Sequence, residues 1–333
     1  RARALKIVIP AAGQGTRLRP HTHALPKVML PVAGRPIIGH ILADVAELKP
    51  EEVRLVVGYR GDTVDRYARS AFPDLPVRIV WQTEQLGLGH AVLQGLVPGD
   101  DDAVLVVLGD TVFDVDYREV VAHDDHVLGV RPVPDPERFG IVELDGSGNR
   151  IAKLVEKPAR PKGNLALVGL YYVHNGDVLR KAIEGLVGEG AQTRGEYQLT
   201  DALQRMIDAG ETFVPYQVGG WYDCGKPETL LSTNRALLDL RSPSVPIGAA
   251  ERSVVIPPVH VAPGCAIENA VVGPHVSMAE GATIRDSIVR DSILAEGALV
   301  EGAVLESSIV GPEVRVRGRA RIVNLGDNSE VIW

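Results

Sequence analysis

Gly13, Gly15, Arg17 and Lys27 follow directly on the apolar run Ile7-Val8-Ile9, in the stretch IVIPAAGQGTRLRPHTHALPKVMLPV from Ile7 to Val32. A glycine loop after a buried strand lets successive backbone N–H groups approach an anion closely. The two cations supply countercharge. Pro26 favours an extended backbone at Leu25, which disfavours a helix there and lets Lys27 converge with Arg17 on the same phosphates. The combination predicts a site for a nucleoside triphosphate. It is not the dinucleotide fingerprint, because Leu18 stands where the third glycine belongs, and no Gly-Lys-Ser/Thr follows to make a Walker A loop.

Thr16, Leu18, Pro20, Thr22, Pro31 and Val32 complete the pattern GxGTRLxPxTxxxPKxxxPV, which resembles the signature of sugar-1-phosphate nucleotidylyltransferases. The string Asn324 to Val331, NLGDxSEV-like, resembles the end of the long glucose-1-phosphate thymidylyltransferase type, whose catalytic domain is followed by a left-handed β-helix. Pro10-Ala11-Ala12 departs from the Leu-Ala-Gly-Gly start of many thymidylyltransferases and is nearer the UDP-glucose pyrophosphorylase form. The resemblance implies Mg²⁺-dependent transfer of a nucleotidyl group to a sugar-1-phosphate, with Arg17 and Lys27 catalytic and with Ala12, Gly13, Gly15 and Thr16 on the nucleotide. It implies that Gln82 and the backbone of Gly87 read the base. A glutamine amide both donates and accepts, which suits the adjacent carbonyl and N3–H of thymine or uracil.

Asp110 follows the apolar run Ala103 to Leu108 and Gly109, and Asp223 lies in Trp221-Tyr222-Asp223-Cys224-Gly225, matching the family's WxDxG. Both are expected to hold Mg²⁺, an ion that takes one or two carboxylates and completes its shell with substrate phosphates. Glu156-Lys157-Pro158 matches the family's EKP, in which the glutamate accepts from sugar hydroxyls and the lysine meets the sugar phosphate. Gly140 and Val168 have the look of backbone sugar contacts, and Arg194 opens an RGExxxTD-like segment. Glucose-1-phosphate with dTTP is the first expectation, UTP the second, and a mannose-1-phosphate guanylyltransferase the third. Readings from other classes are a non-catalytic regulatory subunit and a bifunctional acyltransferase.

These residues must be positioned by two different architectures. Up to Leu240 apolar strands alternate with amphipathic helices, which predicts a Rossmann-like α/β nucleotidyltransferase domain (1–240) with a mainly parallel, mixed sheet. Val53 to Val57, Val77 to Trp81 and Val104 to Leu108 read as strands; Ile37 to Leu48 and His90 to Leu96 read as helices. Residues 241–248, RSPSVPIG, read as a linker. Over 249–333 the period changes: Val261, Ile267, Val272, Met278, Ile284, Val289, Leu294, Val300, Leu305, Val310, Val316 and Ile322 recur every five or six residues. That spacing predicts a left-handed parallel β-helix with hexapeptide-like repeats.

The 333 residues allow two domains, and a net charge of −8 with dispersed cations argues against a nucleic-acid partner. Two distant cysteines without metal-ligand spacing, no apolar run of membrane length, and a start that runs straight into strand predict a cytoplasmic protein off the membrane. One β-helix coil cannot bury its core alone, so the stack needs capping or an oligomer partner, and a homo-oligomer is expected.

Overall fold

The computed structural model describes residues 4–241, 250–318 and 324–332. The linker expected at 241–248 falls, from residue 242 onward, outside the described residues, as does Ile322. The chain divides into two compact units: Arg1–Gly13 with Ile41–Trp221, and Gln14–His40 with Tyr222–Trp333. The second unit therefore takes in the segment that follows the first glycine, whereas the sequence places the division near residue 240.

The first unit is built on a nine-stranded sheet. Leu5–Ala11 lies between Glu52–Val57 and Ala103–Val107, parallel to both, and Val77–Trp81 continues the parallel run beyond Glu52–Val57. These strands are near-continuous Val, Ile and Leu because helices cover their faces. Leu165–Val173 then joins antiparallel to Ala103–Val107, and the hairpin Gly140–Leu144/Ile151–Glu156 extends the sheet. Val8, Val56, Val106, Leu128 and Phe213 form the core with Val92, Leu179 and Leu203, which come from the helices Leu88–Gly95, Gly176–Glu189 and Leu199–Asp208.

In the second unit the C-terminal residues form stacks of short parallel strands in three sheets, the pattern of a parallel β-helix. All eleven described residues of the five-to-six-residue series, from Val261 to Val316, lie in one buried cluster. In one wall, Ile267, Ile284, Val300 and Val316 stand in register. Each is an inward side chain stacked on its equivalent in the next coil, so the aliphatic period and the strand period coincide.

His126 is buried at the far side of the first unit. Its Nε2 donates to Glu211 Oε2 at 2.9 Å, and its Nδ1 accepts from the His174 backbone N–H at 3.0 Å. Burial holds its pKa below the ordinary histidine value, against partial compensation by Glu211. The unfolded chain takes up this proton near pH 6.5 and the folded chain only at lower pH. Stability contributed by neutral His126 is therefore complete above about pH 6.5 and is lost as the pH falls from there toward the folded value. Denaturation midpoints measured between pH 8 and 5 should fall in that window, and His126→Gln should flatten the fall.

Candidate active site

Within the first unit, the parallel strands end in the same direction, so their carboxyl ends gather the residues that follow them. Ala11 pairs with Val57 and Val57 with Trp81, which sets Ala12, Gly58 and Gln82 side by side. The Gly109 N–H donates to Pro10 O at 3.0 Å and brings Asp110 to the same edge. Three strand spacings separate the Asp110 and Gln82 ends, about 14 Å at ordinary interstrand distance, the scale of a nucleoside phosphate. Gly13 has no positive φ, and a Cβ there would meet nothing within 4 Å. Neither conformation nor packing demands this glycine.

Gln82 is buried, its side-chain amide hydrogen-bonds His90 Nδ1 at 3.1 Å, and the other ring nitrogen of His90 meets the Gln94 amide at 3.2 Å. The sequence places His90 at a helix start, and the structure makes it a hydrogen-bond partner of Gln82. Gly87 has φ 108°, and a Cβ there would lie 2.9 Å from the Tyr197 backbone. Tyr197 N donates to Leu86 O at 2.9 Å, so the RGExxxTD-like segment backs the loop at Gly87.

In the hairpin, the register sets Gly140 opposite Glu156, and Lys157 N donates to Phe139 O at 3.0 Å. Glu156 Oε2 accepts from Thr200 Oγ1 at 2.7 Å, while Oε1 lies 3.1 Å from Lys157 Nζ. A Cβ on Gly140 would come 3.1 Å from Glu156 Oε2, so the glycine leaves room for that carboxylate. Burial and the Glu156 charge push the Tyr171 phenol well above its usual pKa. Arg194 and Gly195, at φ 56° and 80°, form a two-residue turn, and Arg194 Nη2 donates to Lys157 O at 2.9 Å. Gly140, Glu156, Lys157 and Arg194 thus belong to one hydrogen-bonded cluster. Val168 has its side chain in the core and offers only backbone, at a point where the ladder with His126–Pro132 shifts register. Thr200 escaped the sequence reading, although it is the threonine of the RGExxxTD-like segment and so carried a signal.

The segment from Gln14 to His40, with Gly15, Arg17 and Lys27, belongs to the second unit. Gly15 has φ 63°, a left-handed conformation that glycine adopts at no steric cost, and its carbonyl accepts from Thr22 Oγ1 at 2.9 Å. Lys27 is only 6% exposed, and its Cβ would lie 2.8 Å from a Cβ on Gly15. Thr16 and Arg17 are exposed. At Gly225, a Cβ would lie 3.2 Å from Arg17 Nη2 and 2.9 Å from Asp223 Oδ2. Arg17 and Asp223 therefore face one space that glycine keeps open.

The two aspartates lie in different units. Asp110 accepts from Thr111 Oγ1 at 3.3 Å, and Asp223 from Thr229 Oγ1 at 3.4 Å. Among the described residues no three or more His, Cys, Asp or Glu side chains form a metal cage. Carboxylate oxygens such as those of Asp110 and Asp223 are the hard donors that Mg²⁺ takes. Also among the described residues, no helix is long and apolar enough to cross a membrane.

The sequence profile of the family described as nucleotidyl transferase matches residues 6–239. The chain belongs to that family. A glucose-1-phosphate thymidylyltransferase of Streptomyces griseus is 33% identical, over 86% of this chain and 85% of the relative. The bifunctional protein GlmU of Methanococcus maripaludis is 37% identical over 70% of this chain, which spans about half, 54%, of that relative's length. Among solved structures, a UDP-glucose pyrophosphorylase from Acinetobacter baumanii matches with TM-score 0.61 and 25% identity, over 72% of this chain and 94% of that one. Membership of the nucleotidyl transferase family accounts for the glycine loop and for the EKP and WxDxG matches within 6–239.

In this nucleotidyl transferase, Thr200→Val removes a charge-assisted hydrogen bond to Glu156, a bond worth about 1.5–3 kcal/mol. Binding of a sugar-1-phosphate, measured by calorimetry, should weaken about tenfold or more, with nucleotide binding unchanged.

Proposed function

We propose that this protein transfers a nucleotidyl group from a nucleoside triphosphate to a sugar-1-phosphate, with dTTP and glucose-1-phosphate the preferred pair. The space at Gly225 carries the reading, because a guanidinium and a carboxylate converge there on a position kept free of any side chain. A bound triphosphate with its metal needs that pairing of charges. A phosphate oxygen of the sugar-1-phosphate attacks the α-phosphorus; the new P–O bond forms as the bond to the β-phosphate oxygen breaks, and pyrophosphate leaves in line. The nucleophile is already an anion at neutral pH, so alignment and charge stabilisation do the catalysis without a general base.

In this reading Arg17 and Lys27 neutralise charge that grows on the α-phosphoryl oxygens and the leaving pyrophosphate. Glu156 accepts from sugar hydroxyls through lone pairs left over from Thr200, Lys157 meets the sugar phosphate, and Gln82 reads the pyrimidine edge in the orientation set by His90. Magnesium, with Asp110 and Asp223 as its proposed carboxylates, would supply charge screening when bound. The Streptomyces griseus likeness supports dTTP and glucose-1-phosphate. The IPAAG start and the likeness to a UDP-glucose pyrophosphorylase favour UTP as the second reading. A methyl group is worth only ~1–3 kcal/mol, so both pyrimidines are expected to react.

Lys27→Ala should lower kcat by about 100- to 1000-fold, the scale of losing one preorganised donor, while sugar-1-phosphate still binds; unchanged turnover would remove Lys27 from the mechanism. Pyrophosphate release with Mg²⁺, glucose-1-phosphate and each of dTTP, UTP, GTP, CTP and ATP tests the reading. Fastest release with dTTP is expected. Release with GTP alone, or only after mannose-1-phosphate replaces glucose-1-phosphate, would move the protein to guanylyl transfer, and silence with every pair would refute nucleotidyl transfer.

A further inference from the structure

One outward row of the β-helix is covered over its middle, between a half-buried His260 and an exposed Asn324. His260, Ser277, Ile293, Ile309 and Asn324 stand in continuous register on successive coils, each beside inward residues such as Val261, Met278, Leu294 and Val310. Alternation along a strand sends this row out of the helix. Yet Ser277, Ile293 and Ile309 are only 3%, 1% and 6% exposed. On a neighbouring wall the comparable outward row leaves Val254, Ile288 and Val304 at 58%, 46% and 43%.

What covers the buried row is the segment that bears Arg17 and Lys27, together with the helix Pro227–Arg241 that follows Asp223. At one end, Gly34 lies so close to His260 that a Cβ would come 2.4 Å from the imidazole. Next, Ser277 Oγ donates at 2.7 Å to Asn234 Oδ1, which also accepts from Ala33 N at 2.9 Å. In the middle, His21, Leu25 and Leu30 close over Ile293 and Ile309, leaving a void of only about 20 Å³. At the far end, Asn324 Oδ1 meets His21 Nε2, and a Cβ on Gly326 would lie 2.7 Å from Pro20 Cβ. His21 is four residues from Arg17 and six from Lys27.

We propose that this row is the floor that positions the phosphate-binding loop, and that Ser277 and Asn324 are positioning residues for Arg17 and Lys27. The proposal rests on the nucleotidyl-transfer reading and makes turnover depend on side chains of the β-helix. A misplacement of 1 Å at a reacting centre costs on the order of 100-fold in rate, so small shifts of the loop are readable.

Three variants of the full chain test it. Asn324→Ala and Ser277→Ala each remove one tie, and Gly326→Ala pushes on Pro20 without removing any. Each should lower kcat about tenfold or more. The number of glucose-1-phosphate sites per chain, and their Kd, should stay at the wild-type values. A merely unfolding variant would lose sites in proportion to activity, so proportional loss overturns the proposal. Ser277→Thr, which keeps the hydroxyl, should recover most of the rate. Wild-type kcat in Asn324→Ala and Gly326→Ala would also overturn it. Amide hydrogen exchange over residues 14–32 answers independently of activity, even if the wild type is silent with every substrate pair. Faster exchange in the variants supports the floor, and unchanged exchange refutes it.

Discussion

Gly15 allows the chain to fold back until its own backbone touches the stem of Lys27. A side chain at that position would collide with Lys27 and Thr22, and the left-handed φ would strain any residue other than glycine. Because the approach is so close, Lys27 is only 6% exposed and the base of its stem is packed against the turn. A cation whose stem is already packed loses less entropy when it meets an anion. Thr22, Pro20 and His21 exist in this geometry to close the same fold-back.

The first unit solves a different problem by a different device. Its binding groups come from the ends of parallel strands and from a hairpin, and each critical side chain is held by a neighbour rather than by its own rotamer preference. Gln82 has His90, Glu156 has Thr200, and Lys157 has the Arg194 guanidinium on its carbonyl. The bond from Thr200 limits how far the Glu156 carboxylate can turn.

Much of this was legible in the sequence, for local reasons. The strands Glu52–Val57, Val77–Trp81 and Ala103–Val107 are runs of β-branched residues, and each lies within a residue of its expected bounds. The β-helix declared itself because one inward aliphatic per wall imposes a period that no other fold needs. The role of His90 was hidden, since a histidine in GLGHAVL has the same look whether it packs or orients a neighbour. The grouping of Gln14–His40 with Tyr222–Trp333 was hidden more deeply. It depends on Ser277, Ile293 and Ile309 being covered, and nothing in their local spacing distinguishes a covered outward residue from an exposed one. Contacts such as His21 with Asn324, 303 positions apart, leave no periodic trace.

The covered row has a temporal consequence. A ribosome makes residues 14–40 early and Asn324 and Gly326 almost last among the residues described, so the glycine loop emerges long before the coil that meets it exists. Through most of synthesis this segment lies outside any finished structure, its apolar residues Leu25 and Leu30 without their final cover. Maturation of the glycine loop is thereby tied to synthesis of the coil that bears Asn324 and Gly326, and a nascent chain that stops short of that coil would carry its glycines, arginine and lysine in an unassembled state.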